Sequence, residues 1–550
     1  MAAGWPSYNC RYAMVRLGNT LLLSGLLFFG FVTPAQGGET VRAVREPPLL
    51  VRSRAESSEG SGKFVVVYKQ LEWKPSQTAI IVCDMWDQHW CKGATQRVAE
   101  LAPRMNDVLA KAYEKGVFII HAPSETMEYY KNHPARKQAI DAPQAANLPT
   151  DIGKWCNWIN EKEQGAGYPI DHSDGGCDCQ PKCKEGSPWR KQIEAIQIRD
   201  KDAISDSGVE IWNLLEERSI KNVIVMGVHT NMCVLGRPFG LRNMARFGKN
   251  VVLMRDMTDT MYNSRASPFV SHFTGTDLIV EHVEKFVCPT ITSTLFTGKG
   301  RFCFKGDNRP RVVFISAENE YKADQTLPEF AHELQIKYGL YCEVLQSATD
   351  ITSKESNYIY GMEELTNADL VVLYARRRAF QAEQMKYFRD YLDRGKPLVA
   401  LRTASHAFDT RGKCPDGHVE WPKFDPEVLG GNYNGHYGSG PITTVTIAAG
   451  AEGHPILAGV ELPFTSNGSL YKTSPLSNST KQLLIGTILD QKPEPLAWTN
   501  TYKNGHIFYT SLGHPDDFAN PQFRKLLINA VFWAMNKPVP RERAASGAGL

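Results

Sequence analysis

The sequence predicts an α/β protein made of two Rossmann-like, three-layer domains with mostly parallel sheets, following a signal peptide. Two features of the chain lead to this prediction. Short apolar runs rich in β-branched residues alternate with segments of helical periodicity, which is the pattern of parallel strands covered by helices. The chain has 550 residues, more than one hydrophobic core normally organises, and a polar turn at 307–310 separates two alternating halves.

The first 37 residues are predicted to be a secretory signal peptide. Arginines precede an apolar run at 21–32, and small residues suited to a signal peptidase follow at 33–37. We therefore expect an exported protein, periplasmic or extracellular; the alternative is a membrane anchor formed by the same segment. Cys10 would leave with the signal peptide, so an odd number of cysteines remains, and disulfide pairing would leave at least one thiol free.

The composition is that of an ordinary globular protein. Hydrophobic residues make up 42% of the chain and charged residues 22%, and the formal net charge is only +3. This balance excludes a disordered chain, and the even spread of lysines and arginines argues against nucleic-acid binding. We expect a small-molecule substrate rather than a nucleic acid as partner, and homo-oligomerisation stays open.

The first domain is predicted to cover 62–290. Its strands are continuous apolar runs such as TAIIVC and NVIVM, typical of parallel strands buried on both faces. Its helices are longer segments with apolar residues at helical spacing. In chain order, the predicted elements are strand 78–83, helix 95–115, strand 117–121, strand 195–198, helix 208–218, strand 222–226, helix 235–247, strand 250–255 and strand 277–280.

A long irregular segment at 122–191 is predicted to be a cap over the crevice of this domain. It places an imidazole and three thiols close together in the sequence: His172, Cys177, Cys179 and Cys183. These groups could hold a tetrahedral zinc ion. The spacing C-x-C-x3-C is not a common zinc-finger pattern, so in an exported protein a disulfide that staples the loop is the preferred prediction, with Cys156 as a candidate partner.

A strand-to-helix turn at 227–234, GVHTNMCV, carries the first candidate catalytic residue. In a parallel sheet such turns lie at the carboxyl edge, where helix N-terminal amides point into a crevice and ligands bind. A helix N-terminus also stabilises a thiolate, which makes Cys233 a candidate nucleophile. Asp84 directly follows the strand predicted at 78–83, so it should reach the same edge as a proton acceptor. The alternatives are an inert buried cysteine and a turn-capping aspartate.

The order of these motifs over about 77–285 resembles that of the isochorismatase-like cysteine hydrolases, a superfamily that includes the nicotinamidases. Asp84 ends the first strand of the pattern. The motif G-x-x-T-x-x-C-V is filled by Gly227, Thr230, Cys233 and Val234. The resemblance implies an Asp-Lys-Cys triad in which Asp84 takes the thiol proton while Cys233 attacks a carbonyl to form a thioester.

The resemblance also implies roles for the rest of the turn. Backbone amides around the nucleophile, in the stretch that contains His229, Thr230 and Met232, would hold the oxyanion. A cis peptide is expected between Val228 and His229. The His229 side chain could face the crevice or have a purely structural role.

Lys201, in the stretch IQIRDKDAISDSG, is predicted to be the lysine of the triad, with Arg199 as the substitute. Nicotinamidases also carry a metal on Asp and His residues after the second strand. At that place this chain has His121 and His133 but no D-x-H motif, so no metal is predicted there and nicotinamide is disfavoured as the substrate.

A linker is predicted at 291–310, and a second α/β domain at 311–540. The same alternation of apolar β-branched runs and helical segments supports it. In chain order, the predicted elements are strand 311–316, helix 326–338, strand 341–345, strand 370–374, helix 381–394, strand 397–401, strand 443–447, strand 506–510 and helix 521–535.

Three stretches of this second half, at 396–409, 453–460 and 494–518, resemble the trehalose-utilisation (ThuA-like) family, a branch of the class I glutamine amidotransferase-like fold. Enzymes of that fold carry a nucleophilic cysteine in the turn after the fourth core strand. This chain has no thiol at 403–406, so the resemblance implies a domain that does not hydrolyse glutamine. Histidines in predicted loops could form a pocket for a sugar or a metal, or be scattered structural residues: His406, His436 and His514.

Two hypotheses for the whole protein follow. The first is an exported hydrolase of a small amide or related C–N bond, with a C-terminal domain that binds a carbohydrate ligand or tunes access. The second is a catalytically degenerate carbohydrate-binding or scaffolding protein. An Asp84, lysine and Cys233 cluster within hydrogen-bond reach would favour the enzyme.

Overall fold

The computed structural model describes residues 49–347 and 354–541, which contain two large sheets flanked by helices. The predicted signal peptide at 1–37 lies outside these residues. Within the described ranges, none of the helices has the length and apolar character needed to cross a bilayer.

The first sheet is built from strands in the first half of the chain. They are β1 (Leu49–Glu56), β2 (Phe64–Leu71), β3 (Thr78–Cys83), β4 (Phe118–Ala122), β5 (Ala203–Ile204), β6 (Asn222–Val228), β7 (Asn250–Asp259) and β8 (Thr290–Ile291). The order across the sheet is β2-β1-β8-β7-β6-β3-β4-β5. Strands β3 to β8 run parallel, whereas β1 pairs antiparallel with both β2 and β8.

Helices cover both faces of this sheet. They are α1 (Lys92–Glu114), α2 (Pro134–Asp141), α3 (Glu161–Ala166), α4 (Gly208–Glu217), α5 (Leu241–Arg246), α6 (His272–Phe286) and α7 (Thr294–Thr297). Successive side chains of a strand point to opposite faces. Accordingly, Ile80 and Val82 of β3 pack with α1, whereas Ile81 and Cys83 pack with α4 and α6. Every residue of β3 is buried, as its continuous apolar run predicts.

The structure differs from the sequence prediction at several places in this half. The hairpin β1–β2 was not predicted. The strand predicted at 195–198 is a turn, and the edge strand is β5. The strand predicted at 277–280 lies inside α6, whose start is capped by the Ser271 side chain accepting from the Thr274 amide. The apolar run there covers one turn of that helix.

The second sheet is mixed rather than mostly parallel. Its strands are β9 (Arg311–Ala317), β10 (Tyr341–Gln346), β11 (Leu370–Ala375), β13 (Leu398–Leu401), β15 (Thr443–Ile447), β16 (Phe464–Ser466), β17 (Lys481–Thr487), β18 (Glu494–Tyr502) and β19 (Gly505–Thr510). The order is β10-β9-β11-β13-β19-β18-β17-β15-β16, parallel as far as β19 and antiparallel beyond it. A small separate sheet pairs β12 (Phe380–Gln381) with β14 (His418–Val419).

The second sheet is also covered on both faces. Its helices are α8 (Ala323–Tyr338), α9 (Ala382–Asp393) and α10 (Pro521–Ala534). Val312 and Phe314 of β9 pack with α8 and α10, whereas Val313 and Ile315 pack with α9.

Buried charges join the two halves at the β1–β2 hairpin. Arg52 of β1 pairs with Glu284 of α6, 2.8 Å from Nε to Oε1, and also with Glu343 of β10. The Tyr341 hydroxyl donates to Glu343 over 2.6 Å. Burial alone would raise the pKa of Glu343. The positive charges of Arg52 and Arg255 outweigh burial and lower this pKa to about 2. The carboxylate therefore stays ionised in the folded protein.

We predict that Glu343→Gln lowers the free energy of unfolding by about 3–5 kcal/mol at neutral pH, because the buried cations Arg52 and Arg255 lose one of their carboxylate partners and only Glu284 remains. The matched control is Glu329→Gln, which removes an exposed pair with Lys63 and should cost less than about 1 kcal/mol. Urea titrations followed by tryptophan fluorescence measure both. The difference in free energy of unfolding between wild type and Glu343→Gln should be full at pH values above 4.5, the ordinary glutamate pKa. It should disappear as the pH falls toward 2, because Glu343 then becomes protonated in the folded protein as well. Equal effects of the two substitutions would contradict this account of the interface.

Candidate active site

A close approach of β3 and β6 forms the floor of the site. Cys83, the last residue of β3, lies opposite Gly227 of β6. Gly227 has φ +121°, and a Cβ there would lie 2.0 Å from the Cys83 carbonyl oxygen. Only glycine satisfies both constraints. The approach brings the residue after β3 next to the turn after β6.

Asp84 is the residue after β3, and its side chain is completely buried. Its backbone is left-handed, with φ 47°. One carboxylate oxygen, Oδ1, accepts the Ser124 amide over 2.9 Å, and the other, Oδ2, accepts Arg237 Nε over 3.3 Å. Burial raises the pKa of Asp84 above its usual range, against the opposing effect of Arg237. The carboxylate is therefore a stronger base than an exposed aspartate.

Cys233 lies in the turn Thr230–Val234 and is only 8% exposed. Its thiol lies beside the Asp84 carboxylate and the Arg237 guanidinium, and both groups interact with it. Burial raises the pKa of Cys233, and the negative charge of Asp84 raises it further. The sulfur therefore carries its proton at rest, with the carboxylate positioned to receive it. Because so little of Cys233 is exposed, only small molecules can reach its sulfur.

Arg237, rather than a lysine, is the cation beside Asp84 and Cys233. The Arg237 amide donates to the Cys233 carbonyl over 3.0 Å, so one helical turn carries both side chains to the same side. Its guanidinium also lies over the Trp155 ring at 5.4 Å. An arginine stays charged at all working pH values, so it stabilises anions but does not transfer protons.

The structure does not bring Lys201 to this cluster. Lys201 is exposed and lies just before β5, on the amino side of the sheet, whereas Asp84 and Cys233 are at the carboxyl edge. Arg199 does not reach the cluster either, since its guanidinium stacks over the Tyr113 ring at 3.9 Å. The sequence signal that identifies Arg237 is its position four residues after the nucleophile.

Hydrogen bonds within the turn and to β7 hold its shape. The Thr230 hydroxyl donates to the Asp259 carbonyl over 2.9 Å, and the Met232 amide donates to the His229 carbonyl over 3.0 Å. Both residues therefore fix the shape of the turn. The expected cis peptide between Val228 and His229 is confirmed.

Aromatic rings and a buried charge network surround the turn. Among the described residues, His229 Nε2 is buried without a hydrogen-bond partner, and its ring lies 4.9 Å from that of His89. Burial, helped by the cation Arg97, lowers the pKa of His89 to about 4, so this histidine is neutral. Trp86 stacks on Trp189 with ring centroids 4.5 Å apart. Sequence reasoning missed His89 and these two tryptophans because they become neighbours only in the fold.

The cysteines of the cap are arranged differently from the prediction. Every cysteine within the described residues has a free thiol, so the predicted stapling disulfide is absent from that part of the chain. Cys156 lies apart from the other cap cysteines, and its thiol donates a hydrogen bond to the Trp158 carbonyl. His172 is not beside the thiols of the cap: its Nδ1 is 3.3 Å from the Asn231 side chain. Instead, Cys91 at the start of α1 joins Cys177 and Cys179.

The three candidate histidines of the second half lie around one aromatic group. The His406 ring stacks on Tyr433 at 4.3 Å, and the His436 ring lies 6.4 Å from Tyr471. The His514 ring lies 6.1 Å from Tyr321, but its side chain also caps a short helix. Burial, together with nearby arginines, lowers the pKa of His406 to about 2, so the ring is neutral.

Arg402 is at the centre of this aromatic group. It follows β13 with φ 44°, and its guanidinium lies over Tyr321 at 4.0 Å and over Tyr471 at 4.9 Å. The Arg402 Nη1 group donates to the Ser511 carbonyl over 2.8 Å. The turn that follows, 402–406, contains no thiol.

Comparison with known proteins gives one family match. The family model described as ThuA, trehalose utilisation, matches residues 311–534. We found no match among curated proteins.

Several solved structures match part of the chain at low similarity. A ThuA-like protein from Bacteroides uniformis is 17% identical with a TM-score of 0.32, over 43% of this chain and 95% of that chain. A cysteine hydrolase from Pseudomonas syringae is 18% identical with a TM-score of 0.25, over 40% of this chain and 92% of that chain. An isochorismatase family protein from Desulfovibrio vulgaris is 13% identical with a TM-score of 0.22, over 40% and 95%. Similarity at this level does not assign an activity.

Proposed function

We propose that the first half of the chain is a cysteine hydrolase that cleaves a small amide or related C–N bond. The observation that carries the proposal is the buried cluster of Asp84, Cys233 and Arg237 at the carboxyl edge of a parallel sheet. The cluster supplies a nucleophile, a base in contact with it and a permanent cation.

The first chemical step is acylation of the sulfur. As Cys233 Sγ attacks the carbonyl carbon, its proton passes to the Asp84 carboxylate, and the carbonyl oxygen becomes an oxyanion. The C–N bond then breaks, and the leaving nitrogen takes the proton from Asp84. The product of this step is a thioester on Cys233 and a free amine.

The second step is hydrolysis of the thioester. Asp84 accepts a proton from water, the hydroxide attacks the thioester carbonyl, and the C–S bond breaks. The sulfur recovers its proton from Asp84. Because Arg237 cannot give up a proton, Asp84 carries all the proton transfers, and Arg237 stabilises the negative charge that moves between carboxylate and sulfur.

The test uses p-nitrophenyl acetate as an activated acyl probe. We expect wild type to form an acetyl adduct on Cys233, detected by peptide mass spectrometry, and to release p-nitrophenol catalytically. Cys233→Ala should lose turnover by at least about 10³-fold. Arg237→Met should lose about 10²-fold, because the cation near the developing charge is removed.

The matched control is Lys201→Ala. Lys201 is exposed and distant from the cluster, so this variant should remain within about twofold of wild type. Full turnover by Cys233→Ala, or a loss in Lys201→Ala equal to that in Arg237→Met, would overturn the proposal. The first of these results would instead favour the degenerate binding protein.

We further propose that the second half binds a carbohydrate at the aromatic group around Arg402. Tyr433 and Tyr321 are partly exposed rings on which a sugar could stack, and the buried guanidinium of Arg402 packs against Tyr321. Several arginines surround His406, which disfavours a metal cation there. The matching family is described by trehalose utilisation, which agrees with a sugar ligand.

On a glycan array that includes trehalose, we expect the wild-type protein to give saccharide-specific binding that Tyr433→Ala reduces at least about tenfold, since a stacked ring contributes on the order of 1.5 kcal/mol. Tyr129→Ala, at an exposed tyrosine of the first half, is the matched control and should bind as wild type does. Absence of binding to every saccharide, or equal binding by Tyr433→Ala, would contradict a sugar site here.

A further inference from the structure

Four thiols meet beside the start of α1. The sulfurs of Cys91, Cys177 and Cys179 all lie within 4.8 Å of one another. The Cys183 thiol lies beside Cys177 and Cys179 and interacts with both. Cys91 is the residue before α1, and the other three belong to the cap, so two distant segments of the chain supply the cluster.

The separation of the sulfurs is that of ligands around one ion. Cys91 Sγ and Cys179 Sγ are 3.8 Å apart. Zinc–thiolate bonds of about 2.3 Å in a tetrahedron place neighbouring sulfurs roughly 3.8 Å apart. A disulfide needs about 2.05 Å. The sulfurs of Cys91, Cys177 and Cys179 are therefore spaced as ligands of one metal ion, and Cys183 lies beside them as a fourth thiol.

Backbone amides point at the sulfurs. The Gly93 amide donates to Cys179 Sγ over 3.2 Å, and the Lys92 amide donates to Cys183 Sγ over 3.5 Å. Both amides belong to the first turn of the 23-residue helix α1, whose N-terminus favours negative charge. Such N–H···S bonds lower the charge on metal-bound thiolates and orient them.

The fit between the helix and the cap is tight. A Cβ at position 93 would lie 2.8 Å from Asp178 Oδ1 and 3.5 Å from Cys179 Sγ, so the glycine allows the first turn of α1 to approach the thiols. Arg97, one turn further along α1, donates to Asp178 over 3.0 Å. The acidic residue between the two cap cysteines is thereby neutralised.

We propose that Cys91, Cys177, Cys179 and Cys183 bind one Zn²⁺ ion in a tetrahedral structural site. Four soft thiolate ligands suit zinc and leave no open coordination position, which distinguishes a structural from a catalytic ion. The site differs from the zinc set considered from the sequence, because Cys91 takes the place of His172.

The ion would fix the wall of the crevice. It would join the cap to the start of α1, whose Arg97 also donates to Asp259 over 2.7 Å. Cys91 is two residues from His89, whose ring packs against His229 of the nucleophile turn. The zinc site is independent of the proposed hydrolase chemistry, because it is detected by metal content rather than by turnover.

Metal analysis of the purified full-length protein tests the proposal. Inductively coupled plasma mass spectrometry should find about one zinc ion per chain in wild type, and at least about fivefold less in Cys91→Ser. His172→Ala and Cys414→Ser should keep the wild-type zinc content, since neither residue belongs to the cluster.

X-ray absorption at the zinc edge of the wild-type protein gives a second readout that does not depend on how a variant folds. The expected spectrum is a shell of sulfur ligands at about 2.3 Å without nitrogen or oxygen. Zinc lost equally in His172→Ala, a mixed sulfur and nitrogen shell, or a metal-free chain with the mass of disulfide-bonded cysteines would each overturn the proposal.

Discussion

The buried contact between the Asp84 carboxylate and the Cys233 thiol is the interaction on which the account of this protein depends. Two strands bring these groups together, because Gly227 lets β6 approach the end of β3. Burial raises the pKa of both groups, so the proton rests on the sulfur with its acceptor in contact. Arg237 stabilises the negative charge whether the carboxylate or the sulfur carries it.

The sequence was sufficient for Asp84 and Cys233 because both follow apolar strands of a parallel sheet, and such residues meet at one edge. It was not sufficient for the cation. Arg237 reaches the cluster through the path of the turn, in which its amide donates to the Cys233 carbonyl. Lys201 has the residue type that the resemblance implies, but the cap returns to the sheet so that Lys201 precedes β5 on the amino side. A lysine close to the expected place in the sequence does not ensure that its side chain reaches the cluster.

The same contrast applies to the fold: local sequence patterns predicted some elements, whereas elements that depend on tertiary contacts were missed. Strand β3 was predicted to the residue and β6 and β7 from their first residues, because a short continuous apolar run is typical of a strand buried on both faces. The hairpin β1–β2 was missed because several of its side chains are charged, and Arg52 is buried by pairing with glutamates from α6 and β10 that no local pattern reveals. Cys91 was likewise missed as a member of the thiol cluster, since it is remote in sequence from the cap cysteines.

The most direct test of the central claim compares Cys233 alkylation by iodoacetamide with p-nitrophenyl acetate turnover in wild type and Asp84→Asn. The charge of Asp84 raises the pKa of the thiol, so its removal should increase the alkylation rate at fixed pH, about tenfold for each unit by which the pKa falls. Turnover should fall by about 10²–10⁴-fold, because the base is lost. Alkylation of Cys414 serves as the internal standard and should not change. Unchanged alkylation of Cys233 together with unchanged turnover in Asp84→Asn would show that the two groups are not coupled and would contradict the account.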